Sequence, residues 1–222
     1  MPKYLLTFEK GESVRWLGHL DILRTFERAI RRAGLPIAFS QGFNPRERLS
    51  FASPLSTGTT GNAEPSILEL TGPLSPDILL VALNEALPPG IRIRTCQEIP
   101  DAGSRDLLNT FTRAEYEVVC KCVADTPAEV VERGISTLLG QPQISITRER
   151  EGRSKTVEIR PYLYDLTFCA DSIANERVTL RMTVGSGEGV NVRPAEIVTA
   201  LADYLPGITL RRACRLRLIA NT

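Results

Sequence analysis

The sequence predicts an α+β protein built from two tandem ferredoxin-like domains, each an antiparallel sheet with helices on one face. Three observations carry this. The first hundred residues read strand, helix, strands, helix, strand, which is the ferredoxin-like plan. A polar stretch from Pro100 to Asn109, holding Gly103-Ser104, then interrupts the pattern, and the same order begins again behind it. Finally, Ser75-Pro76 through Ala82-Leu83 followed by Leu87-Pro88-Pro89-Gly90-Ile91 is mirrored by Arg193-Pro194 through Ala200-Leu201 followed by Leu205-Pro206-Gly207-Ile208, with one residue deleted. Self-similarity of this kind marks an internal duplication. The expected organisation is a first domain over 1–100, a linker over 101–111 and a second domain over 112–222.

In the first domain, Tyr4 to Lys10 alternates as a strand does. Leu23, Phe26, Ile30 and Ala33 then recur at helical spacing and define a core face, with Arg24, Arg28, Arg31 and Arg32 on the other side. Gly18 suits the N-cap, with Asp21 three residues on as in a capping box, and Gly34 followed by Pro36 ends the helix. A strand over Pro36–Ser40 leads into Gln41–Arg48, where Gly42 and Asn44-Pro45 signal a turn. Further strands are expected over Leu49–Leu55 and Ser66–Gly72. The next helix has Pro76 in its first turn and Ile78, Leu79, Ala82, Leu83 and Leu87 as its buried stripe, and Ile91–Ile99 closes the domain as a strand.

In the second domain, strands are expected over Ala114–Val123, Gln143–Arg150, Val157–Phe168, Val178–Val184 and Ile208–Leu218, and helices over Thr126–Gly140 and Arg193–Leu205. Gly140-x-Pro142 after the first of these helices echoes Gly34-x-Pro36.

Composition excludes several classes. A chain of 222 residues with 42% hydrophobic and 24% charged residues is that of an ordinary globular protein. No apolar run approaches the ~20 residues of a membrane span, and Met1–Glu12 lacks a signal peptide's apolar core, so a cytoplasmic location is expected. The five cysteines are odd in number and scattered, which argues against a disulfide framework. Cys120-Lys121-Cys122 is a conceivable metal pair, but a zinc site wants a second pair and only one His exists, so no metal is expected and buried thiols are the better reading.

Net charge is only +1, yet it is unevenly spread. Among 27 basic residues 23 are Arg, a bias that suits bidentate recognition of phosphate. Met1–Arg48 holds nine basic and five acidic residues, whereas Leu49–Thr110 holds three and seven. Val14–Phe51 stands out because it joins the only Trp and the only His to this arginine set. His19, in the first helical turn, is a candidate acid/base for RNA cleavage, with a hydrogen-bonding or packing role as the alternative. Asp21 is a cap in preference to a catalytic carboxylate, and Arg24 and Arg31 have a competing role in pairs with Asp21 and Glu27. In Ser40–Arg46 an amide, an aromatic ring and a guanidinium share one turn, the groups that stack on and hydrogen-bond a single-stranded base; the alternative tucks Phe43 into the core. Gly185–Gly189 lacks the Walker lysine and carries Glu188, so it reads as a connector. Arg148, Arg150, Arg153, Lys155 and Arg160, together with Arg211, Arg212, Arg215 and Arg217, form basic strands able to extend a phosphate track. Alternation puts Arg211, Arg215 and Arg217 on one face, toward solvent or ligand.

The runs Arg15-Trp16-Leu17-Gly18-His19-Leu20-Asp21, Phe26-x-Arg28-Ala29-x-x-Arg32-Ala33-Gly34-Leu35-Pro36 and Ser40-x-Gly42-Phe43-Asn44-Pro45 resemble the bacterial radical SAM-linked protein family, a domain of unknown function. Gly58, Glu64 and Lys155-Thr156-Val157-x-Ile159-Arg160-Pro161 fit as well, so the resemblance covers nearly the whole chain. Gly18 departs from the Ser usual in that family, and both residues can cap. Members occur alone or fused C-terminal to a radical SAM protein, often encoded near ribosomal and RNase G genes. The resemblance therefore implies a radical SAM enzyme as partner and RNA or the ribosome as substrate. The chain has no CxxxCxxC to hold that enzyme's iron–sulfur cluster, and no cofactor of its own is expected.

The expectation from sequence is a noncatalytic module that binds RNA or a ribosomal substrate for a partner radical SAM enzyme. Arg28, Arg32, Gln41, Phe43, Asn44, Arg46 and Arg160 are its expected contacts, with His19 orienting the helix end. Two alternatives stand beside it: a metal-independent endoribonuclease using His19, and a protein-interaction domain docking the radical SAM partner.

Overall fold

The structure, a computed structural model, describes residues 1–101, 104–150, 152–169, 176–187 and 191–221. It is a mixed α+β fold with mainly antiparallel strand pairing. Contacts divide it into two units, Met1–Thr112 with Arg215–Thr222, and Arg113–Cys214. The sequence places a linker at 101–111; the first break falls between Thr112 and Arg113, and the last eight residues belong with the first unit.

The first unit contains β1 (Lys3–Lys10), α1 (His19–Arg32), β2 (Leu49–Phe51), β3 (Thr59–Glu69), α2 (Pro76–Ala86) and β4 (Ile91–Ile99), followed by the short α3 (Ser104–Leu107). β1 lies between β4 and β3, antiparallel to both, and β2 pairs antiparallel with β3. Tyr4, Leu6 and Phe8 of β1 face a core closed by Ile22, Phe26, Ala29 and Ile30 of α1 and by Leu79 and Leu83 of α2. Phe8, Phe26 and Phe51 meet edge to face with centroids 5.0–5.6 Å apart, an arrangement the ring quadrupoles favour.

The core stripe of α1 is centred one position earlier than the spacing suggested, so that Leu23 is only half-buried and Ala33 is the C-cap. Ile78, expected in the core, lies 58% exposed beside Val81, because the buried line of α2 follows the four-residue step Leu79, Leu83, Leu87. The strands around the Gln41–Arg46 loop are shorter than expected. Ile37 and Phe39 make only isolated bridges, to Leu70 and Glu47. Prolines at 36, 45 and 54 bracket these segments and remove ladder donors. β3, by contrast, begins seven residues before Ser66, in a Gly- and Pro-containing run without an apolar alternation.

The second unit contains β5 (Phe111–Lys121), α4 (Ala128–Leu139), β6 (Ser145–Arg150), β7 (Arg153–Glu158), β8 (Leu163–Phe168), β9 (Arg177–Gly185), α5 (Pro194–Leu201) and the beginning of β10 (Thr209–Ala220). Its strand order is β10-β5-β9-β8, and β6 and β7 form a separate two-stranded ribbon. In both units the order is thus fourth, first, third, second, the β6–β7 ribbon being an insertion. The expected strand over Val157–Phe168 is broken by a turn of 3₁₀ helix at Arg160–Tyr162, where Pro161 cannot continue a ladder.

The duplicated turn keeps its backbone. Gly90 has φ +95° and Gly207 φ +83°, and a side chain at either place would strike Ser13 or Val123. Left-handed backbone in close quarters is what glycine alone tolerates. The other echo does not extend this far: Gly34 is left-handed at φ +63°, whereas Gly140 stays right-handed at φ −74°.

Candidate nucleic-acid interface

The entry to α1 is held from below by a lysine. Lys10, the last residue of β1, points inward and is almost fully buried; its ammonium donates to the carbonyls of Arg15 and Leu17 at 2.9 and 2.8 Å. Those two acceptors flank Trp16. The Gly58 N–H donates to the Arg15 carbonyl at 2.9 Å, and Gly58, at φ +84°, lies so close beneath the indole that an added Cβ would come within 3.0 Å of it. The indole is thereby propped outward, 66% exposed, with the Arg15 guanidinium 4.6 Å from its ring centre. Leu20, one helical turn on, is 62% exposed. Asp21 caps α1, accepting the Gly18 N–H at 3.1 Å; Gly18 has no side chain to return the bond.

The charges beneath this turn form a cluster. Arg215, fully buried on β10, donates its Nε to Glu64 Oε1 at 2.9 Å and its Nη2 to Glu64 Oε2 and to the Ser53 carbonyl, the latter at 2.8 Å. Burial lowers the pKa of Lys10; Glu64 opposes the shift and Arg215 adds to it. Alternation alone puts Arg215 on an outer face with Arg211 and Arg217. It is instead an inward position like Ala213, and the carboxylate of Glu64 is what allows a guanidinium there. The cluster escapes a sequence reading because its three members come from strands far apart in the chain. The available signal was parity: a charged residue at an inward step of a strand requires a partner.

His19 stands edge-on to Phe51, with centroids 5.8 Å apart and planes at 86°. Its ring nitrogens have no hydrogen-bond partner among the described residues. It lines a cavity shared with Lys10 and Glu64 of about 20 Å³, room for about one water.

The Ser40–Arg46 loop is closed by its own hydrogen bonds. The Ser40 N–H donates to the Arg46 carbonyl at 2.8 Å, and the Arg46 N–H donates to Ser40 Oγ at 2.9 Å. This turns Gln41, Phe43, Asn44 and Arg46 outward, all exposed, with Gly42 at φ +126°. Phe43 is not tucked into the core; it is as exposed as a side chain in an extended peptide, at 106%. Arg24, Arg28 and Arg46 are exposed, and their side chains make no hydrogen bond or ion pair among the described residues. Arg31 pairs with Glu47 at 2.8 Å and not with Glu27, and this bond raises its pKa.

Two of the expected contact residues have work within the fold. Arg32 donates to the Ala86 carbonyl at the end of α2. Arg160 spends its guanidinium on three carbonyls, those of Leu139 at 2.9 Å, Gln141 at 3.2 Å and Leu163 at 3.2 Å. It caps the C-terminus of α4, where cations are favoured, and leaves no fork for a phosphate. Arg148 is likewise committed, to Glu196 by two bonds of 2.8 and 2.9 Å and to the Asn191 carbonyl at 2.7 Å. Of the Gly185–Gly189 run, Glu188 and Gly189 lie outside the described residues. Cys120 and Cys122 are buried, and burial pushes the Cys120 thiol up to about 12, where it is a poor metal ligand. Among the described residues no group of three or more His, Cys, Asp or Glu side chains is arranged to hold a metal ion, and no helix is long and apolar enough to cross a membrane.

A family model described as "Uncharacterized protein conserved in bacteria (DUF2344)" matches residues 3–194. No curated protein matches the chain in sequence. Among solved structures, 97% of the chain aligns with a chain of a Cbf5–Nop10–Gar1 complex at 12% identity and a TM-score of 0.55, covering 48% of that chain. Similar alignments are found with an H/ACA RNP bound to a substrate RNA containing 2′-deoxyuridine (12% identity, TM-score 0.54, 97% and 47% covered) and with the archaeal box H/ACA sRNP Nop10–Cbf5 complex (12%, 0.52, 97% and 47%). The chain therefore spans about half the length of each of these three chains, and at this identity the likeness is one of fold.

Proposed function

The chain belongs to the DUF2344 family of bacteria, and we propose that it is a noncatalytic module that binds RNA, or an RNA-containing ribosomal substrate, for a partner enzyme of the radical SAM class. The observation that carries this reading is the fully exposed Phe43, held on a hydrogen-bonded turn among Gln41, Asn44 and Arg46. A phenyl ring kept wholly in water gains nothing for folding. Beside an unpaired guanidinium and two amides it has the composition of a base-stacking platform. Trp16, propped by Gly58, supplies a second ring on the same unit, with Arg24 and Arg28 as cations on α1 whose side chains have no partner among the described residues.

Each unit reads as ferredoxin-like, since fourth-first-third-second with antiparallel neighbours is the order that two split βαβ crossovers generate. Two of the solved structures of similar fold, an H/ACA RNP bound to a substrate RNA and a box H/ACA sRNP complex, are RNA–protein assemblies, which agrees with the proposal at the level of fold analogy. The radical SAM partner comes from the resemblance of Arg15–Asp21 and Ser40–Pro45 to the radical SAM-linked family.

The contact set for the proposal is Arg28, Gln41, Phe43, Asn44 and Arg46, with His19 shaping the start of α1. Titration of a labelled single-stranded RNA should show Phe43→Ala weakening binding by about 1–3 kcal/mol, roughly 5- to 100-fold, for one lost stack. Arg28→Ala and Arg46→Ala should each weaken it and flatten its salt dependence. Absence of RNA binding at low salt would sink the proposal. Cleavage of RNA in EDTA, abolished by His19→Ala, would replace it with the nuclease reading.

A further inference from the structure

Lys121, Arg177, Arg211 and Arg212 surround an open pocket of about 590 Å³ in the second unit, with Val119 and Glu176 completing its lining. The strand pattern puts them there. Val118 and Cys120 of β5 point into the core, so Val119 and Lys121 take the opposite face, and Arg177 of β9 is the cross-strand partner of Lys121. Lys121 meets Glu176 at 3.1 Å, both side chains nearly half exposed, a pairing worth little. The side chains of Arg177, Arg211 and Arg212 make no hydrogen bond or ion pair among the described residues. Four cations against one carboxylate leave three excess positive charges around one concavity. Such crowding is mutually repulsive and is relieved when an anion enters.

We propose that this pocket takes the phosphodiester backbone of single-stranded RNA, as an anchor separate from the Phe43 loop. The inference rests on the reading of the protein as an RNA-binding module. Three of the four cations are arginines, whose planar forks fit phosphate oxygens in pairs. An acidic peptide would satisfy the charge equally, but the same unit offers what a peptide does not need. Arg113 lies 4.2 Å over the ring of Tyr164, which is 44% exposed, giving a stacking surface for bases. Arg181, two positions beyond Thr179 on the outward side of β9 and only 4.0 Å from Glu117, adds a loosely held cation between them.

The test uses the whole chain and a labelled oligouridylate, titrated across a series of salt concentrations for the wild type, for R177Q/R211Q and for F43A. Losing two phosphate contacts should flatten the slope of log K against log salt by about 1.4. F43A should weaken binding with its slope kept. Neither arginine side chain bonds anything among the described residues, so R177Q/R211Q should melt where the wild type does. A wild type that binds with a slope R177Q/R211Q reproduces overturns the pocket and leaves the Phe43 interface standing. A wild type that binds no oligouridylate at low salt removes the RNA reading and this inference with it. Competition by oligoglutamate as effective as that by unlabelled oligouridylate overturns RNA as the occupant in favour of an acidic protein segment.

Discussion

The first strand of each unit ends in a lysine, and the two lysines do opposite things. Lys10 falls on the inward step of β1, is nearly inaccessible, and holds the carbonyls on either side of Trp16. Lys121 falls on the outward step of β5 and meets Glu176 in the open. The last inward step of β5 is taken instead by Cys120, a small apolar group. Since the second unit builds the same strand order without a buried charge there, the fold does not require one. Lys10, Glu64 and Arg215 are explained by what sits above them: an exposed indole and the entry to α1, fixed in one position. Buried ions are weak sources of net stability and stronger sources of a unique arrangement.

The comparison breaks most sharply at Glu64. Glu64→Gln would leave the fully buried Arg215 without its counter-ion, an error that typically costs about 3–5 kcal/mol. Urea unfolding should show a loss of that order, whereas Lys121→Gln in the second unit should cost no more than about 1 kcal/mol. Equal losses would mean that the first unit's charges are no more structural than a surface pair.

Lys10→Met comes next. It keeps the volume of the stem but leaves the Arg15 and Leu17 carbonyls without their donor, for an expected loss of about 1–3 kcal/mol. The local consequence is the more telling one. Trp16 is the only tryptophan, so its emission and anisotropy report directly on the turn. A Lys10→Met protein that is folded but has a mobile indole would show that the lysine positions Trp16. Unchanged anisotropy would show that Gly58 suffices.

The same contrast explains what could be read from sequence. Most of the helices and strands were legible because local periodicity sets them, and the matched runs ending at Gly90 and Gly207 share left-handed glycines. The Gln41–Arg46 loop was legible too, since turn residues declare themselves; Phe43 was expected outward as a contact, with a core position as the alternative, and it is outward. What escaped were long-range dependencies. Arg160 looked like a phosphate contact because nothing local shows that three carbonyls at a helix end need it. Arg215 looked exposed because the phase of a strand depends on its neighbours. The start of β3 was missed for a related reason: Thr59–Pro65 is a strand only because β1 pairs with it.

The smallest effect concerns how the two units close the segment that follows their first helix. In the first unit neutral groups do it, the hydroxyl and backbone of Ser40 bonding to the backbone of Arg46. In the second a carboxylate does: Glu158 Oε1 accepts the N–H groups of Ile144 and Arg160, each at 2.8 Å, and Oε2 accepts the Ser145 hydroxyl at 3.3 Å. The bonds from Ile144 and then Arg160 hold the pKa of Glu158 below the ordinary glutamate value of 4.5, against a smaller opposing effect of burial. A depressed folded-state pKa means that the unfolded chain binds the proton first, so the contribution of Glu158 is complete above pH 4.5 and is lost as pH falls through its folded value. Urea midpoints measured from pH 7 to pH 3 should therefore place Glu158→Gln below the wild type at neutral pH and bring the two together in acid. The Ser40→Ala protein should keep a constant distance from the wild type over the same range, because no proton is linked to its loop. Parallel curves for Glu158→Gln would show that the ribbon is closed by shape and not by charge, and the two units would then differ at this point only in sequence.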